Sequence, residues 1–429
     1  MKNIINPVKG TRDFYPENMA LRSWLYNKVR EASEAFGYQE FEAPILEKLE
    51  LYAAKSGEEL VKKQSYEFTD KGGENIVLRP ELTPSLARLI SQRQNQLAYP
   101  LRWWSYGPFW RYEAPQKGRA REFFQWNIDL IGIDTPEADA ELIAIITFLF
   151  KSLGLTPDQT VVLVNDRRIT NIELEKLNIP IELRQDALSW IDRKNKMSDD
   201  AWDKFGYDIG FSKEQIDGTK TFLSRDDLWK ESESLKKVFA ILDTMEVREY
   251  VRYDSGIIRG LPYYTGIVFE AFDVSGSLRR AILGGGRYNN LMEAVGGDPM
   301  PAVGFAMGDL VISLILGELG LLPENLGSSP APILVTLFDE NTLLPTMALA
   351  TDLRQAGLKV ATYPEPAKLG KQFKYADRIG ARFVFVMGPD EISEGQVTIK
   401  NLETREQTSL PRINVVDQMK DILAGKKSS

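Results

Sequence analysis

The chain has 429 residues and a mass of 48.6 kDa, room for several domains at roughly 100–200 residues each, which excludes a single small binding module. Hydrophobic residues at 43% and charged residues at 27% exclude a disordered chain, and 53 Lys and Arg against 61 Asp and Glu, a net charge of -8, give no global basic field. Cys and His are both absent, which excludes disulfides, thiolate chemistry, Cys/His zinc sites and any imidazole base, so chemistry must run on carboxylates, cations, hydroxyls and backbone dipoles.

The start, M-K-N-I-I-N-P-V-K-G, has no apolar signal core, and no stretch reaches the ~18 apolar residues of a membrane span. The expectation is a cytoplasmic protein with no membrane partner. Met19, Leu21, Trp24, Leu25, Val29, Ala32 and Phe36 recur at helical spacing, which predicts an amphipathic helix over 17–37 between Pro16 and Gly37.

From Tyr38 to about Gly132, short apolar and aromatic runs broken by D-K-G-G, T-P-S and Y-G-P predict a sheet with helices. The longest apolar run, Leu142 to Phe150, reads as a buried helix. Residues from about 168 to 247 are rich in Leu, Ile, Lys, Glu and Asp and predict a mostly helical insertion. Strand-like text resumes from Val251 to Phe272, and L-G-S-S-P-A-P at 326–332 reads as a linker. Beyond it, P-I-L-V-T-L, a helix near 341–356, L-K-V-A-T-Y, a helix near 368–379 and F-V-F-V-M-G predict a small α/β domain over 331–429 with a largely parallel sheet. This tail carries a net charge of +1 against -9 for the rest, with Lys368, Lys371, Lys374, Arg378 and Arg382 concentrated in it. Such a run serves either a polyanion or merely a solvated helix face.

The most informative stretch is F-W-R-Y-E-A-P-Q-K-G-R-A-R-E-F-F-Q-W-N-I-D-L-I-G, residues 109–132, which predicts strand, basic loop, strand. Strand side chains alternate, so Phe124, Trp126, Ile128 and Leu130 share a core face while Gln125, Asn127 and Asp129 share a chemically equipped one. Arg111 and Glu113 are expected on one face of the preceding strand. Lys117, Arg119 and Arg121 around Gly118 suit phosphate oxygens, or else form the charged tip of a solvated hairpin.

In V-L-R-P-E-L-T-P-S-L, residues 77–86, Thr83 and Pro84 predict an N-cap and a first helical proline, and Glu81 suits either a ligand amine or the helix start. In I-I-R-G-L-P-Y-Y-T-G-I-V-F-E-A-F, residues 257–272, Arg259 precedes a strand expected to bear Tyr264, Gly266, Val268 and Glu270 on one face. Gly266 there marks either room for a ligand ring or a bulge. Gly284, Gly285 and Gly286 before Arg287 and Tyr288 permit close backbone approach and match no dinucleotide fingerprint.

Taken in order, these segments resemble the class II aminoacyl-tRNA synthetases, and among them the histidyl-tRNA synthetase family. P-V-K-G-T-R-D-F-Y-P resembles the family's opening, F-E-A-P-I-L-E with Pro44 its dimer motif, and Arg111 to Asp129 its second motif. R-G-L-P-Y-Y-T-G and L-G-G-G-R-Y resemble the two segments particular to the histidine enzymes. The resemblance implies a catalytic domain over 1–325 with an antiparallel sheet and the helical insertion, an anticodon-binding α/β domain over 331–429, and a homodimer. It implies histidine, ATP with Mg²⁺, and tRNA(His) as substrates and partners. Glu81 and Thr83 would hold the histidine amino group, and Gln125, Asp129, Tyr263 and Tyr264 would line its pocket, with Asp129 and Tyr264 reading the two ring nitrogens. Arg111 and Arg259 would meet the α-phosphate as the catalytic cations, Glu113 the adenine edge and Arg119 the outgoing phosphates.

Three positions depart from the family pattern. Val311 stands where its third motif carries an arginine, Ala114 where many members carry one, and Pro262 where an acidic residue is common; Gln116 and Lys117 are therefore expected to meet the tRNA acceptor end. The alternative function is that of a paralogue, the non-catalytic, histidine-sensing regulatory subunit of ATP phosphoribosyltransferase, which typically lacks the tail and the second-motif arginines that this chain keeps.

Overall fold

The computed structural model describes residues 4–53, 64–259, 263–276, 280–290, 292–324, 326 and 331–423. The chain divides into two compact units, Met1–Pro323 and Glu324–Ser429. The strands of the first, in chain order, are β1 Gln39–Glu40, β2 Leu46–Lys48, β3 Tyr66–Thr69, β4 Asn75–Leu78, β5 Leu101–Trp110, β6 Glu122–Ile131, β7 Thr160–Asp166, β8 Val251–Tyr253, β9 Ile267–Asp273, β10 Ala281–Tyr288 and β11 Ala302–Gly308.

Eight of these form one sheet in the order β1-β5-β6-β11-β10-β9-β7-β8. Its six central strands pair antiparallel, while β1 on β5 and β8 on β7 are parallel. The expected antiparallel sheet is thus the body of a mixed one. β2, β4 and β3 make a separate three-stranded sheet.

One sheet face is buried by helices whose apolar stripes were legible. The helix Pro16–Ala35 buries Leu25, Val29, Ala32 and Ser33, and the Ser33 hydroxyl accepts from the Trp126 indole at 3.0 Å, tying it to β6. The helix Pro136–Ser152 starts on proline, carries Glu137 and Asp139 in its first turn and Lys151 in its last, and buries Leu142 to Ile146. Trp126, Ile128 and Leu130 join both helices in the main core. The opposite face of β6 is thereby left for polar side chains.

Helices Arg167–Lys176, Arg184–Asp192, Asp199–Ile209, Lys213–Leu223 and Glu233–Thr244 fill the segment expected to be helical. Its core contains Trp190 stacked on Trp202 at 3.9 Å, each indole donating to the other's carbonyl at 2.8 Å.

The second unit has strands β12 Ile333–Val335, β13 Val360–Thr362, β14 Phe383–Val386, β15 Gln396–Asn401 and β16 Gln407–Pro411. Their order is β13-β12-β14-β15-β16, the first three parallel and the last two antiparallel. Helices Leu343–Gln355 and Leu369–Arg378 supply the crossovers. The unit has its own apolar core around Ile333, Val335, Leu349 and Phe385. Among the described residues, no helix is long and apolar enough to cross a membrane.

Candidate active site

The polar face of β6 opens into two adjoining chambers. The inner one, of about 130 Å³, is lined by Glu81, Thr83, Asn127, Asp129, Tyr263, Tyr264, Tyr288 and Gly304. The outer one, of about 250 Å³, is lined by Glu113, Gly118, Arg119, Phe123, Asp309 and Val311. Arg111, Gln125, Arg259, Gly284 and Ala306 line both and form the neck between them. Residues from five separated stretches of chain converge here, three of them brought together because β6, β11 and β10 are neighbours in the sheet.

Asp129 sits at the inner end. It is buried, and the Tyr288 hydroxyl donates to its Oδ1 at 2.5 Å. Burial pushes its carboxyl up to about 7, with the tyrosine bond pulling the other way. Burial also raises the phenols of Tyr263, Tyr264 and Tyr288, which stay neutral hydroxyls at physiological pH. The Tyr263 ring lies 4.9 Å from Tyr264 and 6.0 Å from Tyr288, making an aromatic wall.

Thr83 is the first residue of the helix Thr83–Ser91, with Leu82 in the N-cap position and no side-chain cap. The expected cap is therefore displaced by one residue, and the Thr83 hydroxyl bonds Tyr263 instead. Glu81 is 7% exposed on the loop before that helix.

At the neck, Arg259 adopts a left-handed backbone, φ 59°, which costs a non-glycine residue about 1–2 kcal/mol. Its Nη1 donates to Glu270 Oε1 at 2.8 Å. A methyl on Gly284 would lie 2.2 Å from that Nη1, so the first glycine of the triplet is the hollow in which the guanidinium rests. Nε of Arg259 is buried with no partner among the described residues. Arg111 donates from Nε to the Pro80 carbonyl at 2.9 Å and lies 5.3 Å from the Phe123 ring.

β5 ends at Trp110, so Arg111 and Glu113 belong to the loop after the strand rather than to its face. That loop folds back as a turn, with Gln116 bridged to Arg119 and Gly118 at φ 78°. Arg119 Nη1 lies 3.5 Å from Glu113 Oε2. Gln116 and Lys117 stand at the exposed tip, outside both chambers; Lys117 pairs with Glu318 at 2.7 Å, and Gln116 accepts from Arg280 at 3.2 Å.

Two further expectations are corrected. Tyr264 and Gly266 precede β9 rather than lying within it, and the space beside Gly266 is filled by the stem of Arg287. Arg287 itself points away from the chambers, forked on Asp139 and the carbonyls of Ile133 and Thr135. Pro262 lies outside the described residues. The site also contains Asn127, Tyr288, Glu270 and Gly304, to which no role was attached from sequence. For Asn127 the signal was available, since it shares the alternating face with Gln125 and Asp129.

The family model described as histidyl-tRNA synthetase matches residues 10–309, and one described as an anticodon binding domain matches residues 334–422. The chain is 38% identical to a histidine–tRNA ligase of Opitutus terrae, over 97% of this chain and 98% of the relative. It is 40% identical to a chloroplastic/mitochondrial histidine–tRNA ligase of Arabidopsis thaliana, over 94% of this chain and 84% of the relative. Among solved structures, a histidyl-tRNA synthetase from Nostoc sp. PCC 7120 superposes with a TM-score of 0.82 at 26% identity, covering 98% of this chain and 99% of that one.

Proposed function

Because this chain belongs to the histidyl-tRNA synthetase family, we propose that its two chambers join histidine to ATP at their shared neck and then pass the histidyl group to tRNA(His). The chain is a histidine–tRNA ligase. The observation that carries the residue roles is the neck itself. Arg111 and Arg259 stand between a chamber shaped by a carboxylate and three tyrosines and one lined by Arg119, Glu113 and Phe123.

In the first step the histidine carboxylate attacks the α-phosphorus of ATP and pyrophosphate leaves. The carboxylate is already ionised at neutral pH, so a chain without histidine lacks nothing the step requires. Glu81 and Thr83 hold the substrate ammonium, and Asp129 accepts from the imidazole ring. Arg111 and Arg259 meet the charge that develops on the α-phosphoryl oxygens, a preorganised pair of cations in a partly dry neck. Arg119 takes the outgoing phosphates and Glu113 the adenine amino edge. In the second step a hydroxyl of the terminal adenosine of tRNA attacks the carbonyl carbon, and AMP departs with the electron pair of the broken C–O bond, its phosphate taking up the proton that the hydroxyl gives up.

Mg²⁺ takes few protein ligands and several waters. Glu113 and Asp309, the carboxylates lining the outer chamber, are the residues that would hold it there, and it would neutralise charge on the leaving group. Gln116 and Lys117, exposed at the turn tip, suit the acceptor end of the tRNA. The unit Glu324–Ser429 suits its anticodon. A homodimer acting in the cytoplasm completes the reading. The regulatory-subunit alternative is weaker, because it gives the arginines of the outer chamber nothing to do.

The test is pyrophosphate exchange into ATP with each of the twenty amino acids. Histidine alone should support exchange. Exchange with another amino acid, or none with any, overturns the reading.

A further inference from the structure

We propose that Asn165 and Arg167 are positioning residues for the adenylation step, a clamp that holds the two ends of the segment carrying Arg259, Tyr263 and Tyr264. The proposal rests on the histidine-activating function above.

That segment connects β8, which ends at Tyr253, to β9, which starts at Ile267. Its described residues lie outside the strands, yet Arg259 lines both chambers and Tyr263 and Tyr264 line the inner one. Arg259 also holds a left-handed backbone, φ 59°, a conformation that persists only where the surroundings over-determine it. Asn165, fully buried near the end of β7, supplies a restraint on the entering side. Its Nδ2 donates to the Ser255 and Ile257 carbonyls at 3.0 and 3.1 Å, with the Thr170 hydroxyl 3.2 Å away, and its Oδ1 accepts from the Asp166 amide at 2.8 Å. The Asp254 carboxylate tightens the same turn by accepting from the Gly256 amide at 2.8 Å. Arg167, also buried, supplies the restraint on the leaving side: its Nη1 donates to the Tyr264 carbonyl at 2.8 Å and its backbone amide to the Gly266 carbonyl at 3.0 Å.

Neither side chain lines a chamber, so their influence on the reaction runs through the residues they hold. The two ends hold different parts of the site. Asn165 grips the backbone just before Arg259, whose guanidinium meets the charge developing on the α-phosphoryl group. Arg167 grips the carbonyl of Tyr264 itself, a wall of the histidine chamber. A shift of about 1 Å in such a group is enough to cost about a hundredfold in rate. The clamp is itself anchored. Between its two members, Asp166 accepts from the Arg168 amide at 3.0 Å and from the Ser232 hydroxyl at 3.2 Å, and the Ser255 hydroxyl donates to the Leu223 carbonyl at 3.0 Å. The helices Lys213–Leu223 and Glu233–Thr244 are thereby tied to the segment that enters the neck. An amide that donates to two buried carbonyls also has no substitute in its isostere, because aspartate would set a carboxylate against both.

The experiment measures histidine-dependent pyrophosphate exchange in the full-length wild type, Asn165→Asp, Asn165→Ser, Arg167→Met and Arg167→Lys, with rates expressed per active site counted by burst titration of the adenylate. The Asn165 variants should lose kcat about tenfold to a hundredfold with little change in the KM for histidine, because Arg259 acts on charge that develops only in the transition state. Arg167→Met should instead raise the KM for histidine several-fold, and Arg167→Lys, which keeps a cation and a donor, should recover part of that loss. A merely structural role would lower Tm and the number of active sites and leave the constants of each site alone. Constants per site equal to those of wild type, or the same losses in kcat and KM at both positions, would overturn the proposal, as would failure of every variant to form active sites. The underlying function is read separately: wild-type protein without histidine-dependent exchange refutes that reading, whereas normal wild-type exchange with unchanged constants in the variants refutes only the clamp.

Discussion

Gly304 stands opposite Asp129 in the β11–β6 ladder, and a methyl group on Gly304 would lie 2.0 Å from Asp129 Oδ1 and 2.8 Å from the Ile128 carbonyl. The carboxylate that Tyr288 fixes from one side is thus fixed from the other by the absence of a side chain. Gly304→Ala should expel Asp129 from its bond with Tyr288 and weaken histidine binding by about 1–3 kcal/mol, the cost of a buried group left badly paired. Calorimetric titration with histidine measures it, and an unchanged Kd would show that the carboxylate has room to move.

The burial of Asp129 has a consequence for stability. Its folded pKa of about 7 lies above the ordinary value of 3.8, so between roughly pH 4 and 7 the native state holds a proton that the unfolded chain has released. Stability from this group therefore falls as pH rises through that window, and the deficit is complete above pH 7. Asp129→Asn removes the deficit. The variant should match wild type in Tm near pH 4, exceed it increasingly toward pH 8, and bind histidine less tightly throughout. A Tm difference that is flat with pH would mean that Asp129 is ionised at all these values.

Arg259 and Glu270 form a second fixed pair, at the neck. Arg259→Ala removes a cation from the neck, but it also leaves the Glu270 carboxylate, 19% exposed in its side chain, without its partner at 2.8 Å. The single variant should lose pyrophosphate exchange and also some stability, since breaking a buried pair from one side is costly. Arg259→Ala combined with Glu270→Gln should recover Tm without recovering exchange. Recovery of both would place the role of Arg259 in folding and not in catalysis.

The third-motif departure also has a spatial side. A methyl on Gly118 would lie 3.4 Å from both Arg280 Nη1 and Val311 Cγ2, so the Arg280 guanidinium and the Val311 side chain meet over the same turn. Arginine at position 311 would contend with Arg280 for that space and add a like charge. Val311→Arg should raise the KM for ATP in the exchange assay several-fold, and Val311→Arg with Arg280→Ala should raise it less. Equal KM values for the single and double variants would deny the conflict.

The legibility of this site in the sequence followed period and chemistry. Gln125, Asn127 and Asp129 were placed on one face because a strand has a period of two and the intervening residues are apolar. The helix Pro16–Ala35 was legible for the analogous reason at helical spacing. What lay beyond reach were relations between distant strands: nothing local says that Tyr288 meets Asp129 across 159 residues, that Glu270 receives Arg259, or that Gly304 must be small. The β15–β16 hairpin was missed because its turn uses Arg405 at φ 64° in place of a glycine or an Asn-Gly pair. Arg111 and Glu113 were put on a strand that stops one residue earlier, at Trp110, a boundary no residue type announces.

The absence of histidine from all 429 positions makes the substrate the one imidazole in the loaded protein. Ring nitrogens of bound ¹⁵N-labelled histidine can therefore be observed by NMR against no imidazole background. Asp129 offers an acceptor at the inner wall of the chamber, and an acceptor fixes which nitrogen carries the proton. Above pH 7, where Asp129 is ionised in the free protein, the bound ring should be neutral and present as a single tautomer, its N–H resonance shifted by the carboxylate. In Asp129→Asn that acceptor becomes an amide whose oxygen also serves Tyr288, and the tautomer preference should weaken. Two tautomers in similar proportion in the wild-type complex would mean that Asp129 does not hold the ring, and the pocket would then need a different acceptor for the imidazole N–H.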